Sequence, residues 1–220
     1  MRFLVAVSAF ASVLAVGGCG GAPPGAASVG SGAWRALALE LDPYPAEIGR
    51  HWSYDTWHSQ NHAAERPGKP QRFEIAASAG DGTVMRRFYG DREAPATLVR
   101  KTDGAVALSR HQPDGPPASE SITVLRLPLV AGASWAGRNL AGATERIRVV
   151  GRETVTVPAG TFAAWHVAHD LTYAAGGGDR LEYWYAGGVG MVQAIERITL
   201  QSGSAPYPLQ VRAVLAVFGR

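Results

Sequence analysis

Four histidines stand at spacings that could support metal or acid–base chemistry. His58 and His62 lie four residues apart, a separation that places two ligands on one face of a helix. The residues between them lack the glutamate that a zinc protease uses as a base, and Pro67 follows closely. His166 and His169 lie three apart, so on a strand they point to opposite faces and cannot share one ion. We predict no metal site at either pair.

His169 is the histidine with the stronger claim to an interior position. It has the same parity as Trp165, Val167 and Leu171, and alternating apolar residues mark the buried face of a strand. Two interpretations stay open. His169 is either a hydrogen-bonded core residue or an acid–base group in a pocket.

Catalytic signatures are missing from the sequence. It contains no G-x-S-x-G motif, and its one cysteine stands near the N-terminus. Glu182 and Glu196 could form an acid–base pair, although carboxylates on exposed strands are usually solvated. We predict no catalytic residues and no cofactor. The protein is expected to be non-enzymatic, and a hydrolase is the least favoured alternative.

The single cysteine, Cys19, follows a basic start and an apolar run. That run, Phe3 to Val16, is shorter than the roughly 20 residues that span a bilayer and is typical of a secretory signal. Val16-Gly17-Gly18-Cys19 resembles the lipobox of bacterial lipoproteins, whose cysteine is acylated and becomes the first mature residue. The resemblance implies lipidation of Cys19. An ordinary signal peptide with an incidental cysteine is the alternative.

These features divide the chain into three expected parts. Residues 1–18 are the lipoprotein signal peptide, residues 19–35 the lipidated cysteine with a flexible tether, and residues 36–220 a single β-rich domain. The stretch 20–32 holds only Gly, Ala, Pro, Ser and Val, which is typical of a tether. Acyl chains such as palmitate would hold the domain to the membrane. By resemblance to enterobacterial sorting, Gly20 favours the periplasmic face of the outer membrane.

Composition narrows the classes further. Hydrophobic residues make up 46% and charged residues 18% of the 220 residues, which is ordinary for a globular protein. The net charge is +3 and the basic residues are scattered, whereas nucleic-acid binding needs a concentrated basic patch. We predict no nucleic-acid partner.

From Phe73 onward, short apolar–polar alternations are separated by glycine- and proline-containing turns. Tight turns join antiparallel strands, because parallel strands need long crossovers. The prediction is a mainly β fold, a curved antiparallel sheet or incomplete barrel of about ten strands. A short helix is predicted only around Asn61–Glu65.

A short element occurs twice. Pro-x-x-x-Gly-x-x-Trp runs from Pro45 to Trp52 and again from Pro128 to Trp135. Proline fixes the entry angle, glycine allows a tight bend, and tryptophan covers the end of a sheet. The repeat favours two similar meander halves, with a chance match as the alternative.

Two further motifs carry a family resemblance. VTVPAGTF at residues 155–162 and YWYAGGVGMV at residues 183–192, together with the repeated element, resemble a family of uncharacterised secreted bacterial proteins and lipoproteins. Its patterns are V-x-V-P-A-G-x-F and Y-x-A-x-G-V-G-x-V, and the resemblance spans about residues 44–200. It implies a β-rich fold, distantly like the half-barrels of outer-membrane lipoprotein carriers. It supplies no catalytic residues.

Aromatic residues could line a ligand site on the concave face of such a sheet or could simply fill its core. We predict a binding or envelope-maintenance module that takes an apolar ligand, with a structural or protein-interaction lipoprotein as the alternative. Its partners would be the membrane, through the lipid, and a hydrophobic ligand or an envelope protein. The candidate ligand-facing residues are Trp52, Trp135, Trp165, His169, Tyr183 and Tyr185.

Overall fold

Every strand of the described chain belongs to one antiparallel sheet. The computed structural model describes residues 42–113, 120–139, 143–202 and 205–220. The predicted signal peptide (1–18), the lipidation site Cys19 and the tether to residue 35 lie outside these ranges. Within them, no helix is long and apolar enough to cross a membrane. The strands are β1 (His51–Gln60), β2 (Arg66–Pro67), β3 (Gln71–Ala79), β4 (Gly82–Tyr89), β5 (Arg92–Thr102), β6 (Ala105–Arg110), β7 (Ser121–Arg126), β8 (Ser134–Arg138), β9 (Thr144–Val157), β10 (Gly160–Thr172), β11 (Gly178–Ala186), β12 (Gly190–Ser202) and β13 (Ala205–Gly219).

The strand order divides the sheet into two halves of six strands. The order is β7-β6-β5-β4-β3-β1-β13-β12-β11-β10-β9-β8, with the short β2 added beside β1. β1 and β3–β7 form one meander, β8–β13 form the other, and the β1–β13 pairing joins them. This arrangement brings the first and last strands of the described chain together in the middle of the sheet.

The two ends of the sheet, β7 and β8, meet at a seam. Trp135 on β8 donates a hydrogen bond from Nε1 to the carbonyl oxygen of Thr123 on β7, at 3.2 Å. The Arg126 guanidinium lies 6.0 Å from the centre of the Trp135 ring. The sheet is therefore a nearly closed barrel whose seam is bridged by side chains rather than by a strand ladder. The bridge also covers edge strands that would otherwise be open to other chains.

Alternation along the strands explains how the barrel obtains its interior. On β9, Glu145, Ile147 and Val149 are buried, while Arg146 and Arg148 between them are exposed. A period of two sends successive side chains to opposite faces of a sheet. The predicted curved sheet or incomplete barrel is thus confirmed.

The number of strands and the start of the sheet differ from the prediction. The described residues form thirteen strands rather than about ten, and the first of these strands begins at His51 rather than at Phe73. The sequence does not predict β1 because its alternation is short: after Trp52, Ser53, Tyr54 and Asp55 the next buried residue is the polar Thr56, and the apolar Trp57 stands on the opposite face. The predicted helix at Asn61–Glu65 is wrong: Asn61 and His62 have positive φ angles and form a turn.

The repeated element adopts the same backbone hydrogen bonding in both halves. The amide of Gly49 donates to the carbonyl of Ile75 at 2.9 Å, and the amide of Ile75 donates to the carbonyl of Arg50 at 2.8 Å. In the second copy, the Gly132 amide donates to the carbonyl of Val149 at 2.8 Å, and the Val149 amide donates to the carbonyl of Ala133 at 2.9 Å. Both glycines have left-handed φ angles, +91° and +82°. The repeat is therefore a repeat of structure, and each copy opens the first strand of one meander half.

The two tryptophans of the repeat bond across the barrel to the other half. Trp52, the second residue of β1, donates from Nε1 to the carbonyl of Val189 between β11 and β12, at 2.5 Å. Trp135, the second residue of β8, donates to Thr123 in the first half. Each half therefore supplies one tryptophan that fastens it to the other.

Substituting the two repeat glycines tests this arrangement. A Cβ at Gly49 or Gly132 would meet no atom within 4 Å, so the cost of alanine is that of the left-handed backbone alone. We expect Gly49→Ala and Gly132→Ala each to lower the free energy of unfolding by about 1–2 kcal/mol in urea denaturation. Gly137→Ala is the control, because its Cβ also meets open space and its φ is not left-handed. Equal, negligible changes in all three variants would contradict the assignment.

Candidate functional site

The barrel encloses a hollow whose walls come from both halves. Apolar side chains line much of it, and its volume is about 870 Å³ when crevices and mouth are counted. Only about 80 Å³ admits the centre of a water molecule. An apolar cavity that takes up benzene is about 150 Å³, so this space suits a slim group unless side chains move. The apolar walls include Phe73, Met85, Leu108, Val124, Leu171 and Leu181.

Tyrosine and tryptophan side chains form a further part of the wall, and several of their polar atoms bond within the barrel. The Tyr54 hydroxyl donates to the carbonyl of Met191 at 2.9 Å, and the Tyr44 hydroxyl lies 3.8 Å from the Met85 sulfur. Burial raises the pKa of Tyr44 to about 12, and it raises the pKa of Tyr54 well above its ordinary value. These hydroxyls therefore stay neutral across physiological pH.

A buried histidine–carboxylate pair lies among these apolar walls. His169 is 3% exposed and Glu145 5% exposed, and both line the hollow. The His169 Nδ1 atom is 2.8 Å from the Glu145 Oε1 atom, and the Tyr183 ring meets the imidazole edge-on at 5.1 Å. β9 and β10 hold the pair, because Leu171 stands opposite Glu145 and His169 opposite Ile147 in their ladder. No described residue bonds the other ring nitrogen, Nε2.

A second buried carboxylate stands behind this pair. Glu196 on β12 has no measurable exposure, and it accepts a hydrogen bond from the Tyr183 hydroxyl at 2.9 Å. Burial, reinforced by the nearby Asp179, raises the pKa of Glu196 to about 8, against the lowering effect of the Tyr183 bond. Glu196 is therefore mostly protonated at neutral pH.

The structure distributes the six predicted ligand-facing residues over two environments. Four of them, Trp52, His169, Tyr183 and Tyr185, line the hollow. Trp135 bridges the seam, and Trp165 packs under the Arg152 guanidinium, which lies 4.4 Å from its ring centre. Trp165 is buried, as the parity that it shares with His169 predicts, and a bulge that leaves Val150 on β9 without a partner places Arg152 opposite it. Contact of any of these residues with a ligand stays a prediction.

The two carboxylates considered as an acid–base pair face different environments. Glu182 pairs with Arg180 at 3.2 Å and with Arg197, while Glu196 is buried. Glu196 stands opposite Leu181 in the ladder, so it shares a face with the interior residues. The expectation that both are solvated is wrong for Glu196. Sequence reasoning also missed Glu145, which the alternation with Ile147 and Val149 could have found.

His166 occupies an environment of its own. Its ring stacks on Trp184 at 4.4 Å, and its Nδ1 atom is 2.9 Å from the Glu153 Oε1 atom. Trp184 Nε1 donates to the second oxygen of Glu153 at 2.8 Å. His166 is absent from the lining of the hollow. Across the described ranges, no three histidine, cysteine or acidic residues gather as a metal site would require.

Comparison with known proteins adds a family match over part of the chain. Residues 138–196 match the model of a family described as DUF3108-like. The matched segment runs from the last residue of β8 into β12 and contains Glu145, His169, Tyr183 and Glu196. No curated protein matches the chain significantly.

Three solved structures are similar to the chain. One is a protein from Bacteroides fragilis described as exported, with a YmcC-like fold; the identity is 14%, the TM-score 0.49, and the match covers 80% of this chain and 98% of that one. A second is a protein from Parabacteroides distasonis described as a lipoprotein; the identity is 11%, the TM-score 0.40, and the match covers 81% of this chain and 99% of that one. The third is YmcC from Escherichia coli, also described as a lipoprotein; the identity is 11%, the TM-score 0.33, and the match covers 74% of this chain and 83% of that one. At identities of 14% or less, none of them assigns an activity to this chain.

The raised pKa of Glu196 predicts how stability depends on pH. The carboxyl has a pKa of about 8 when folded and 4.5 as its reference value. Between these values the unfolded chain loses the proton and the folded protein keeps it, so the free energy of unfolding falls as pH rises. Each unit of difference is worth about 1.4 kcal/mol. We expect Glu196→Gln to flatten this decline in urea denaturation between about pH 5 and pH 8.

Glu93→Gln is the control for that measurement. Hydrogen bonds from Arg86 lower the pKa of Glu93 below its ordinary value, so Glu93 titrates below the chosen range. Glu93→Gln should keep the wild-type slope. If Glu196→Gln also keeps it, the buried carboxyl does not have a raised pKa.

Proposed function

We propose that this chain is a bacterial lipoprotein, anchored through Cys19, whose barrel binds a small and largely apolar molecule in its hollow. The observation that carries the binding role is the lining of the hollow, apolar and aromatic walls with a few convergent polar groups. Ligand sites in proteins commonly have this composition. The observation that carries the anchor is the lipobox-like Val16-Gly17-Gly18-Cys19 after an apolar run.

The proposed location is the cell envelope, at the periplasmic face of the outer membrane. The apolar run would direct export, and several acyl chains on Cys19 would hold the protein, at about 0.8 kcal/mol per buried methylene. Gly20 after the cysteine supports the outer membrane over the inner one. The tether up to residue 35 would leave the barrel free to meet molecules near the membrane surface.

A non-enzymatic role is part of the proposal. The described lining contains no serine, threonine, cysteine or lysine. His169 therefore has none of these four residue types beside it to activate as a nucleophile. Binding, rather than turnover, is what the described groups can perform.

A second candidate is a structural or protein-interaction lipoprotein whose core is filled. The narrowness of the hollow favours it, because only about 80 Å³ admits the centre of a water molecule. Under this alternative the seam or the sheet surface would contact an envelope protein. The alternative predicts no uptake of apolar molecules, which separates it from the main proposal.

The anchor is tested by membrane fractionation in a bacterial host. We expect the wild-type chain in the membrane fraction, with a mass that includes acyl chains, and Cys19→Ser in the soluble fraction without them. Ser31→Ala, a change within the tether, serves as the control and should fractionate as wild type. A wild-type chain that carries a free thiol and fractionates with soluble protein would contradict the anchor.

The binding role is tested by NMR titration of the full chain in detergent with the slim apolar probe 1-hexene, which carries no hydrogen-bond donor. We expect saturable binding by wild type, and loss of binding in Met85→Trp, because Met85 lines the hollow and the larger ring would occupy it. Overpacking should cost about 1–3 kcal/mol of stability, which urea denaturation measures.

Val217→Trp is the matched control for this titration. It introduces the same ring at a side chain that is 56% exposed on the outer surface of β13, so binding should be unchanged. Absence of saturable binding by wild type, or equal binding by a folded Met85→Trp, would favour the filled-core alternative.

A further inference from the structure

His169 Nε2 is a polar atom in the wall of the hollow for which no described residue provides a hydrogen-bond partner. His169 is 3% exposed and lines the hollow, and no described residue bonds its Nε2 atom. Buried polar side-chain atoms are hydrogen-bonded in the large majority of cases. An unpartnered ring nitrogen in a wall that is mostly apolar and aromatic therefore points to a bond completed by something that enters the hollow.

The bond at the opposite side of the ring determines what His169 Nε2 can do. Glu145 Oε1 is 2.8 Å from Nδ1, and a carboxylate accepts hydrogen bonds. Nδ1 is thus the nitrogen that carries the hydrogen in the neutral imidazole. Nε2 then holds a lone pair and acts as an acceptor. The complementary group on a ligand is a hydrogen-bond donor.

The charge around the histidine narrows the ligand further. Glu145 is in direct contact with His169, and Glu196 is linked to the hollow through Tyr183. The Glu145 carboxylate is buried beside His169, so an anionic ligand would meet repulsion from it in a poorly solvated site, whereas the protonated Glu196 carboxyl adds no charge. Neutral donors and cationic amines avoid this penalty. The aromatic faces of Trp52 and Tyr185 in the lining also tolerate both classes.

We propose that the hollow binds slim apolar molecules that carry a hydrogen-bond donor, an alcohol or an amine, and that His169 Nε2 accepts this bond. The inference rests on the proposed binding function and adds the class of ligand. Because only about 80 Å³ of the hollow can be reached by the centre of a water molecule, the buried part of the ligand has to be a narrow chain. The buried Glu145 carboxylate excludes carboxylates of the same chain length from the hollow.

The test compares four six-carbon probes by calorimetry or NMR titration of the full chain. 1-Hexanol and hexylamine carry a donor, 1-methoxypentane is an isomer of hexanol without one, and hexanoate is an anion. We expect wild type to bind hexanol or hexylamine about three- to tenfold more tightly than the ether, as one net hydrogen bond implies. Hexanoate should bind most weakly. The tighter of the two donors identifies whether the natural ligand is an alcohol or an amine.

Two variants separate His169 from the other buried histidine. His169→Phe keeps an aromatic ring but removes the acceptor, so hexanol and the ether should bind equally. His166→Phe is the matched control, because His166 is also buried but lies outside the lining, and it should keep the wild-type preference.

A measurement on wild type alone covers the case in which His169→Phe does not fold. The ¹⁵N resonance of Nε2 should move away from the value of a free pyridine-type nitrogen when hexanol is added, and stay unchanged with the ether. If alcohol, amine and ether bind equally, or the resonance does not move, His169 is not the acceptor and only the ligand class is overturned. If none of the probes binds, including 1-hexene, the binding function itself fails.

Discussion

Closure of the barrel is the constraint on which the rest of the structure depends. A twisted sheet of two six-stranded halves has to join its halves in the middle and cover its ends. The β1–β13 ladder provides the first junction. Two tryptophans from equivalent positions of a repeated element reinforce both junctions, since Trp52 bonds to Val189 and Trp135 to Thr123. Because each half supplies the tryptophan that binds the other, neither half closes the barrel alone.

A closed barrel determines what happens to polar residues that point inwards. Alternation sends Glu145, His169, Tyr183 and Glu196 to the interior along with their apolar neighbours, and there they find partners mainly in one another. Burying them costs free energy unless their hydrogen bonds are completed. The pairs Glu145–His169 and Tyr183–Glu196 recover part of that cost. His169 Nε2 and Glu196 Oε2 are the atoms of these two pairs that have no hydrogen-bond partner among the described residues.

The sequence predicts much of the architecture, and the features that it does not predict have physical causes. The turn at Pro158-Ala159 lies between β9 and β10 as its residues predict, and Pro-x-x-x-Gly-x-x-Trp does open each half. β1 is not predicted because its alternation covers only four residues before the buried Thr56 and the apolar Trp57 interrupt it. The contact of Trp165 with Arg152 is not predictable from the sequence, because it depends on a one-residue bulge at Val150 on β9 that no local signal marks. Glu196 was expected in solvent because a carboxyl on a strand gives no sign of the tyrosine that meets it across the ladder.

The most direct test of the account is a crystal structure of the full chain grown with 1-hexanol. The account predicts an alkyl chain between the walls of the hollow, with its hydroxyl oxygen within hydrogen-bond distance of His169 Nε2 and Glu145 still bound to Nδ1. A hollow filled by protein side chains, with Nε2 bonded to another protein group and no hexanol inside, would contradict it.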